Sequence, residues 1–352
     1  MQLPQGISFR RSENDLLDLY SRYVRMPFPE SFLLSPALRR LKGVGMHCGM
    51  EYTSFPFYQD FEEYSRLRHS LGVALILGRF SEQPKEILSG LFHDIATPCF
   101  AHVIDFLRGD YQKQEATEAF TARIIDEDPV IQEGLSALGL TTDDVSDYHR
   151  YPIADNDSPR LSSDRLEYTL SNFLNYGYAS LDEVEALYRD LVLTKNEDGV
   201  KEIAFQDPGL AEFFTLTTLK NSRVYCASED RYGMEALARI VLKAIRWKVL
   251  TEEDLYTTEE PVIAKLGQDP RTAVLWSWYR GLYRVETSYE PSPFGIVVKS
   301  KKRFIDPLVI GLGRTSKISS KAGMAIGDFL ALRFDETLVG TSKNPGSLPS
   351  RD

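Results

Sequence analysis

The sequence predicts a mainly α-helical fold with a small C-terminal α+β appendage, and three observations carry that prediction. Apolar residues recur at helical spacing through most of the 352 residues. Helix start signals, Ser or an early acid with Pro at the first turn, stand ahead of these runs. Only one long stretch, SPFGIVVKSKKRFIDPLVIGLG at 292–313, is β-branched and punctuated by glycine, and it reads as a hairpin or two strands. The expected organisation is a helical domain over 1–275 with its motif-bearing core at 35–175, an α+β appendage over 276–335, and a disordered polar tail over 336–352.

Taken in order, SENDLLDLYSRYV has a Ser cap, acids in its first turn and leucines at helical spacing. SPALRRLKGV starts on Ser35 with Pro36 at the first helical position, where its missing N–H costs nothing. Tyr58 to Phe80 reads as one long amphipathic helix. Pro84 to Ile95 follows and stops at Thr97-Pro98, because the residue before proline avoids the helical region. Further helices are expected at Glu115–Asp126, Ser163–Phe173, Leu181–Leu193 and Tyr232–Val249. The aromatic run LWSWYRGLYRVETSY reads as packing for the appendage. No internal repeat is visible.

Composition narrows the function classes. Hydrophobic content of 43% and charged content of 26% fit a globular chain with a sizeable core. A net charge of −10 argues against an extended nucleic-acid or anionic-membrane surface. Three widely spaced cysteines without a CxxC pair argue against a disulfide framework and for a reducing cytoplasm. The N-terminal residues carry no apolar core of a signal peptide, and runs such as VALIL are too short to span a bilayer.

The chemistry-bearing stretch is GLFHDIATPCFAH, where His93 and Asp94 interrupt an apolar helix and His102 follows. Burying such groups is costly unless something pairs with them, and a metal ion is the obvious partner. His69, Val73 and Ile76 form one inward stripe on the preceding helix. A short turn joins the two helices, so they should lie antiparallel with His69 near the His93–Asp94 pair. Two imidazoles and a carboxylate call for another ligand. Asp164 is the choice, with Asp155 and Asp157 in IADNDSP as rivals that spacing does not separate. A bland reading competes: a buried histidine is more often hydrogen-bonded core, and Asp164 with Glu167 fits a helix-capping device. The basic run KSKKRF (299–304) reads as a solvated strand face or else a phosphate or subunit contact. GLGRTSK fits no phosphate-loop spacing.

His69, the 93–94 pair and Asp164, in that order, resemble the HD superfamily of metal-dependent phosphohydrolases. SPALRRLKGVG, SRLRHSLGVA, GLFHDIATPCFAHVID and SSDRLEYTLSN resemble the matching runs of the deoxynucleoside triphosphate triphosphohydrolase branch. The likeness is strong over about 35–175 and continues weakly through NSRVYCASED to about residue 270. It implies an HD-type helical fold and one divalent transition metal (Mn, Fe, Ni, Co or Zn) on His69, His93, Asp94 and Asp164, with Mg an option on the substrate. It implies that His102, Asp105 and Glu115 serve catalysis. Arg66, Arg165, Tyr168 and Asn172 would contact substrate, with Asn172 standing where the family has an acid. Tyr225 matches a family tyrosine near the substrate. Homo-oligomers belong to the same expectation.

Two departures redirect the reading. Thr97 and Gln114 stand where the family has histidines, and neither side chain donates a proton near neutral pH. Met46 lies near the position of the family's deoxyribose-selecting glutamine. The expected function is therefore metal-dependent hydrolysis of a nucleotide or related small phosphoester by an activated water. Triphosphohydrolysis, a weakly catalytic nucleotide-binding regulator and a di-iron oxygenase are the alternatives.

Overall fold

The structure, a computed structural model, describes residues 11–104, 120–290 and 295–351, and it is mainly helical with two small sheets. Asp105, Gln114 and Glu115 lie outside the described residues. The chain opens with α1 (Arg11–Ser21) and α2 (Pro36–Arg40), the latter capped by Ser35, whose hydroxyl accepts from Leu38 N. The antiparallel pair α3 (Arg66–Phe80) and α4 (Pro84–Phe92) follows. Three short helices, α5 (Thr121–Glu127), α6 (Pro129–Ala137) and α7 (Thr142–Val145), lead to α8 (Ser163–Asn175) and α9 (Leu181–Asp190). Strands β1 (Leu191–Lys195) and β2 (Lys201–Phe205) precede the long helices α10 (Pro208–Val224) and α11 (Ser228–Arg246). Helices α12 (Glu259–Gln268) and α13 (Pro270–Arg280) run into β3 (Leu282–Ser288). The chain finishes with β4 (Leu308–Val309), β5 (Gly313–Arg314), α14 (Thr315–Ile318), α15 (Ser320–Ala331) and β6 (Thr337–Ser342).

Four expectations shift, each for a local reason. The Tyr58–Phe80 helix starts only at Arg66, because Ser65 takes an extended conformation as its N-cap and bridges to Gly45. The Leu181–Leu193 helix stops at Asp190, and Leu191–Lys195 instead forms a hairpin with Lys201–Phe205. Asn196 closes that hairpin, its side-chain oxygen accepting from Asp198 N and Val200 N. Among the described residues, the 292–313 stretch yields only the short β4–β5 pair and an isolated Ile296↔Leu338 bridge, and residues 297–307 adopt no regular element. The tail expected to be disordered supplies β6, which pairs antiparallel with β3 from Leu282↔Ser342 to Ser288↔Thr337. The larger sheet has the order β1-β2-β4-β5, with β4 parallel to β2.

Two large apolar cores and a small third one around Leu219, Cys226, Ile326 and Phe329 hold the molecule together. One large core gathers α1, α3, α4 and α8 around Leu71, Leu88, Phe92 and Leu170. The other large core gathers α11, α13 and β3 around Phe55, Phe100, Leu237 and Tyr279. The cavity that matters lies where they meet, since its wall draws His69 and His93 from the first side and Cys48, Tyr58 and Met234 from the second. Among the described residues no helix is long and apolar enough to cross a membrane.

A candidate metal centre and its cavity

Close approach of α3 and α4 sets the site. A Cβ at Gly90 would lie 2.2 Å from Leu77 Cδ1 and 3.0 Å from Val73 Cγ1, so only glycine allows this contact. Gly72 plays the same part toward α8, because a Cβ there would meet Glu167 Cγ at 2.5 Å. His69 sits one turn into α3, His93 is the C-cap residue of α4, and Asp94 follows just past that helix end. Asp164 lies in the first turn of α8, whose N-cap is Ser162, so the carboxylate is free of the capping duty that sequence spacing allowed it.

Four donor atoms converge. His69 Nε2 lies 3.2 Å from His93 Nε2 and 3.0 Å from Asp164 Oδ1. Asp94 Oδ2 lies 3.5 Å from His93 Nε2 and 3.9 Å from His69 Nε2, and Asp164 Oδ1 lies 3.8 Å from His93 Nε2. His69, His93 and Asp94 can each place one ligand atom within 4.8 Å of the others. Asp164 Oδ1 thus lies within 4 Å of both Nε2 atoms, nearer to His69.

The opposite edge of each ring fixes its tautomer. His93 Nδ1 lies 2.7 Å from Gly90 O, and a carbonyl only accepts, so Nδ1 carries the hydrogen. His69 Nδ1 lies 2.6 Å from Glu167 Oε2, and it donates to that carboxylate. With Nδ1 so engaged, each ring in its neutral form turns its Nε2 lone pair inward, toward the other ring and toward two carboxylates. Such a set of acceptors facing acceptors is repulsive until a cation enters, and an outer partner on each Nδ1 is what a metal-binding histidine needs. A proton shows the same demand. Burial disfavours the charged His69 ring, yet Asp164 and Glu167 outweigh burial and raise its pKa to about 9. Burial likewise opposes ionised Asp164, but its bond to His69 lowers it to about 2.

The carboxylates are held from behind. Arg66 Nη1 reaches both oxygens of Asp94, at 3.1 and 2.9 Å. Thr97 Oγ1 donates to Asp94 Oδ1 at 2.7 Å, so this threonine braces the carboxylate beside the two imidazoles. Glu167 is fully buried and accepts from Tyr64 OH at 2.5 Å, Arg68 Nη1 at 2.9 Å and Ser171 Oγ at 2.8 Å, besides His69. Sequence reading missed Glu167, Tyr64 and Arg68. The available signal was a carboxylate three residues beyond Asp164, on the inward stripe of an amphipathic helix.

The cluster opens into a cavity of about 750 Å³, and Arg66, His102, Arg165, Tyr168 and Asn172 all line it. His102 follows Phe100 and Ala101, whose φ values of 62° and 46° lie in the left-handed region. That conformation costs about 1 kcal/mol or more per residue bearing a Cβ, and here it turns the chain ahead of His102. Arg66 Nε is buried with no partner among the described residues. Arg165 is otherwise engaged: its guanidinium bonds Asn156, Arg160 O and Ser162 Oγ and pairs with Asp155 at 3.0 Å, bracing the loop before α8. Asn172 Nδ2 donates to Tyr225 OH at 2.7 Å, and the Tyr168 ring stands 6.5 Å from His69. The rival ligand Asp155 is held by Ser162 Oγ at 3.2 Å and lies 2.9 Å from His149 Nδ1, away from the cluster. That pair places His149, another titratable ring, on the cavity wall.

Comparison with known proteins bears on the fold. No protein-family model matches the chain. The chain is 26% identical over 285 residues to the uncharacterized protein YdhJ of Bacillus subtilis, across 80% of this chain and 83% of that protein. It is 23% identical over 295 residues to the metal-dependent phosphohydrolase cns2 of Cordyceps militaris, across 81% of each chain. Among solved structures it is similar to a phosphohydrolase from Bacteroides thetaiotaomicron, with a TM-score of 0.58 and 14% identity over 97% of both chains. A hypothetical protein from Aquifex aeolicus matches with a TM-score of 0.56 and 17% identity, over 86% of this chain and 88% of that one. Over nearly its whole length, the chain shares its fold with the Bacteroides phosphohydrolase.

Proposed function

We propose that this protein is an HD-type metal-dependent phosphohydrolase that cleaves a nucleotide or a related small phosphoester. One observation carries the reading: two imidazoles, with their Nδ1 hydrogens tied to Glu167 and Gly90 O, aim their Nε2 lone pairs at a point flanked by Asp94 and Asp164. Likeness to a metal-dependent phosphohydrolase supports it.

When bound, a divalent cation there supplies charge neutralisation at the phosphoryl oxygens and acidifies a water. The rest falls to the chain. Arg66, fixed by Asp94, presents its remaining N–H edge to a phosphate oxygen, the geometry a planar guanidinium suits. His102 delivers a proton to the departing ester oxygen, and Tyr168 and Asn172 border the organic part of the substrate. Water adds to phosphorus, the P–O bond to the organic group breaks, and an alcohol and orthophosphate leave. Thr97, occupied in holding Asp94, does not serve as a proton donor, which disfavours cleavage of a whole triphosphate.

The test is a screen of nucleotides and phosphoesters with Mn, Fe, Ni, Co, Zn and Mg, reading orthophosphate and tripolyphosphate separately. Orthophosphate release is expected. Stoichiometric tripolyphosphate would reassign the protein as a triphosphohydrolase, and no turnover with any metal would reassign it as a binding protein.

A further inference from the structure

The basic run Lys299–Phe304 does not form a solvated strand. It is an irregular strap between the Ile296↔Leu338 bridge and β4, and every residue from Lys299 to Phe304 lines the cavity of the His69–His93–Asp94–Asp164 cluster. Its backbone is fixed by the body. Arg231 Nη1 donates to Val298 O at 2.7 Å, Ser300 Oγ to Tyr225 O at 3.3 Å, and Asp306 N to Pro159 O at 2.8 Å. Arg231 is only 2% exposed and also pairs with Glu336, so a buried staple sets the height of the strap over the cavity.

Charge gives the strap its meaning. Among the described residues the cavity wall carries eight Lys and Arg side chains against five aspartates, in a chain of net charge −10. Arg66, Arg160, Arg165 and Arg231 are paired with Asp94, Asp198, Asp155 and Glu336. Lys299, Lys301, Lys302 and Arg303 add four more cations to the wall, all of them on the strap. Lys299 is exposed, and neither it nor Lys302 has a carboxylate partner among the described residues; the Lys302 ammonium donates instead to Leu330 O at 2.5 Å. The Arg303 charge is felt at the phenols of Tyr168 and Tyr225 in the same cavity. A volume of about 750 Å³ accommodates far more than one phosphate.

We propose that the Lys299–Arg303 strap is a second anion subsite, so that the preferred substrate carries two phosphate groups. One sits at the His69–His93–Asp94–Asp164 cluster, and the other is retained beneath the strap. The substrate class is thus a diphosphate ester or a bisphosphate, and this inference rests on the phosphohydrolase reading above.

Two arms test it. In turnover, kcat/KM for ADP and for adenosine 3′,5′-bisphosphate is compared with that for AMP, in wild type and in the Lys299→Ala/Lys302→Ala double variant. The preference for a doubly charged substrate should fall about tenfold, as expected for two partly exposed ion pairs, and should shrink with added salt in wild type. Which of the two doubly charged substrates shows it separates a phosphate chain from phosphates at opposite ends. The Lys299→Arg/Lys302→Arg variant should keep the preference. In binding, calorimetry compares methylenebisphosphonate with methylphosphonate, neither of which is hydrolysed. An unchanged ratio in the alanine variant, or equal loss in the arginine variant, overturns the proposal. Failure of every turnover assay refutes the hydrolase reading alone, because the binding ratio still decides the strap.

Discussion

Glu167→Gln is the perturbation that separates a built metal centre from an ordinary polar core. The change keeps the shape of the side chain and removes one charge at a residue with no solvent exposure. Arg68, itself 3% exposed, loses its carboxylate partner at 2.9 Å. Leaving such a cation unpaired costs about 3–5 kcal/mol. At the same time the amide must choose how to face His69 Nδ1, Tyr64 OH and Ser171 Oγ, since its nitrogen donates where a carboxylate oxygen accepted. The His69 tautomer is then no longer fixed, and loss of such an outer partner typically weakens metal binding about 10–100-fold. Urea denaturation of chelator-treated protein reads the first effect, and metal titration with elemental analysis reads the second. Unchanged metal affinity alongside the expected destabilisation would show that Glu167 serves only to pair Arg68, and that His69 orientation does not depend on it.

Three further outcomes are expected. Asp164→Asn should deplete bound metal far more than Asp155→Asn, because only Asp164 approaches the two Nε2 atoms; equal metal content in both would remove Asp164 from the ligand set. His102→Ala should slow phosphoester cleavage about 10²–10⁴-fold with metal content unchanged, and much less for an ester with an activated leaving group; a metal-depleted variant would make His102 a ligand. Burial and the Glu259 carboxylate push Glu51 up to about 8, so the fold holds it protonated, and that stability, full at low pH, is lost as pH rises through about 8. Glu51→Gln should flatten this decline, by on the order of 1–3 kcal/mol near pH 9, and parallel pH profiles of unfolding in both proteins would contradict it.

The helical frame and the approach of His69 to His93 were legible because both rest on local pattern. His69 with Val73 and Ile76 marks an inward stripe, Pro84 marks a helix start, and these alone bring His69 to His93. What escaped depended on partners far along the chain. Lys201–Phe205 becomes a strand between Leu191–Lys195 and Leu308–Val309, a neighbour more than a hundred residues away. The NEDG turn at 196–199 is a local signal for that hairpin, and the helical spacing of Leu181–Leu193 just before it competes with that signal. Thr337–Ser342 alternates the strand formers Thr337, Val339 and Thr341 but lies in a polar, Gly-, Ser- and Pro-rich tail, and it is ordered by pairing with β3, about fifty residues earlier in the chain. Glu167 was visible only as a helix-cap candidate, because its real partners, Tyr64, Arg68 and His69, lie about a hundred residues earlier.

Charge balance yields the last prediction. Behind and around the cluster, two guanidiniums, Arg66 and Arg68, face three carboxylates, Asp94, Asp164 and Glu167, in a largely dry setting. The set is short of one positive charge, and burying that imbalance is unfavourable. A proton on His69 supplies the charge in the metal-free protein, at the cost of orienting a lone-pair donor away from its task. A dication more than supplies it while leaving both Nε2 lone pairs in use, and the resulting excess of one positive charge suits an anionic substrate. Bound metal should therefore stabilise the fold as well as complete the site. At a free concentration of about a hundred times Kd the linkage is about 2.7 kcal/mol. In a chain of this size that raises Tm by about 4 °C, since the shift per kcal/mol falls as chains lengthen. Thermal unfolding after chelation, with Mn, Fe, Ni, Co or Zn returned one at a time, should show a metal-specific rise in wild type. His93→Ala should abolish that rise, because Asp94 and Asp164 then face a single imidazole. A rise of equal size in both proteins would place the stabilising ion elsewhere, and no rise with any metal would mean that the inward lone pairs are satisfied by the His69 proton alone.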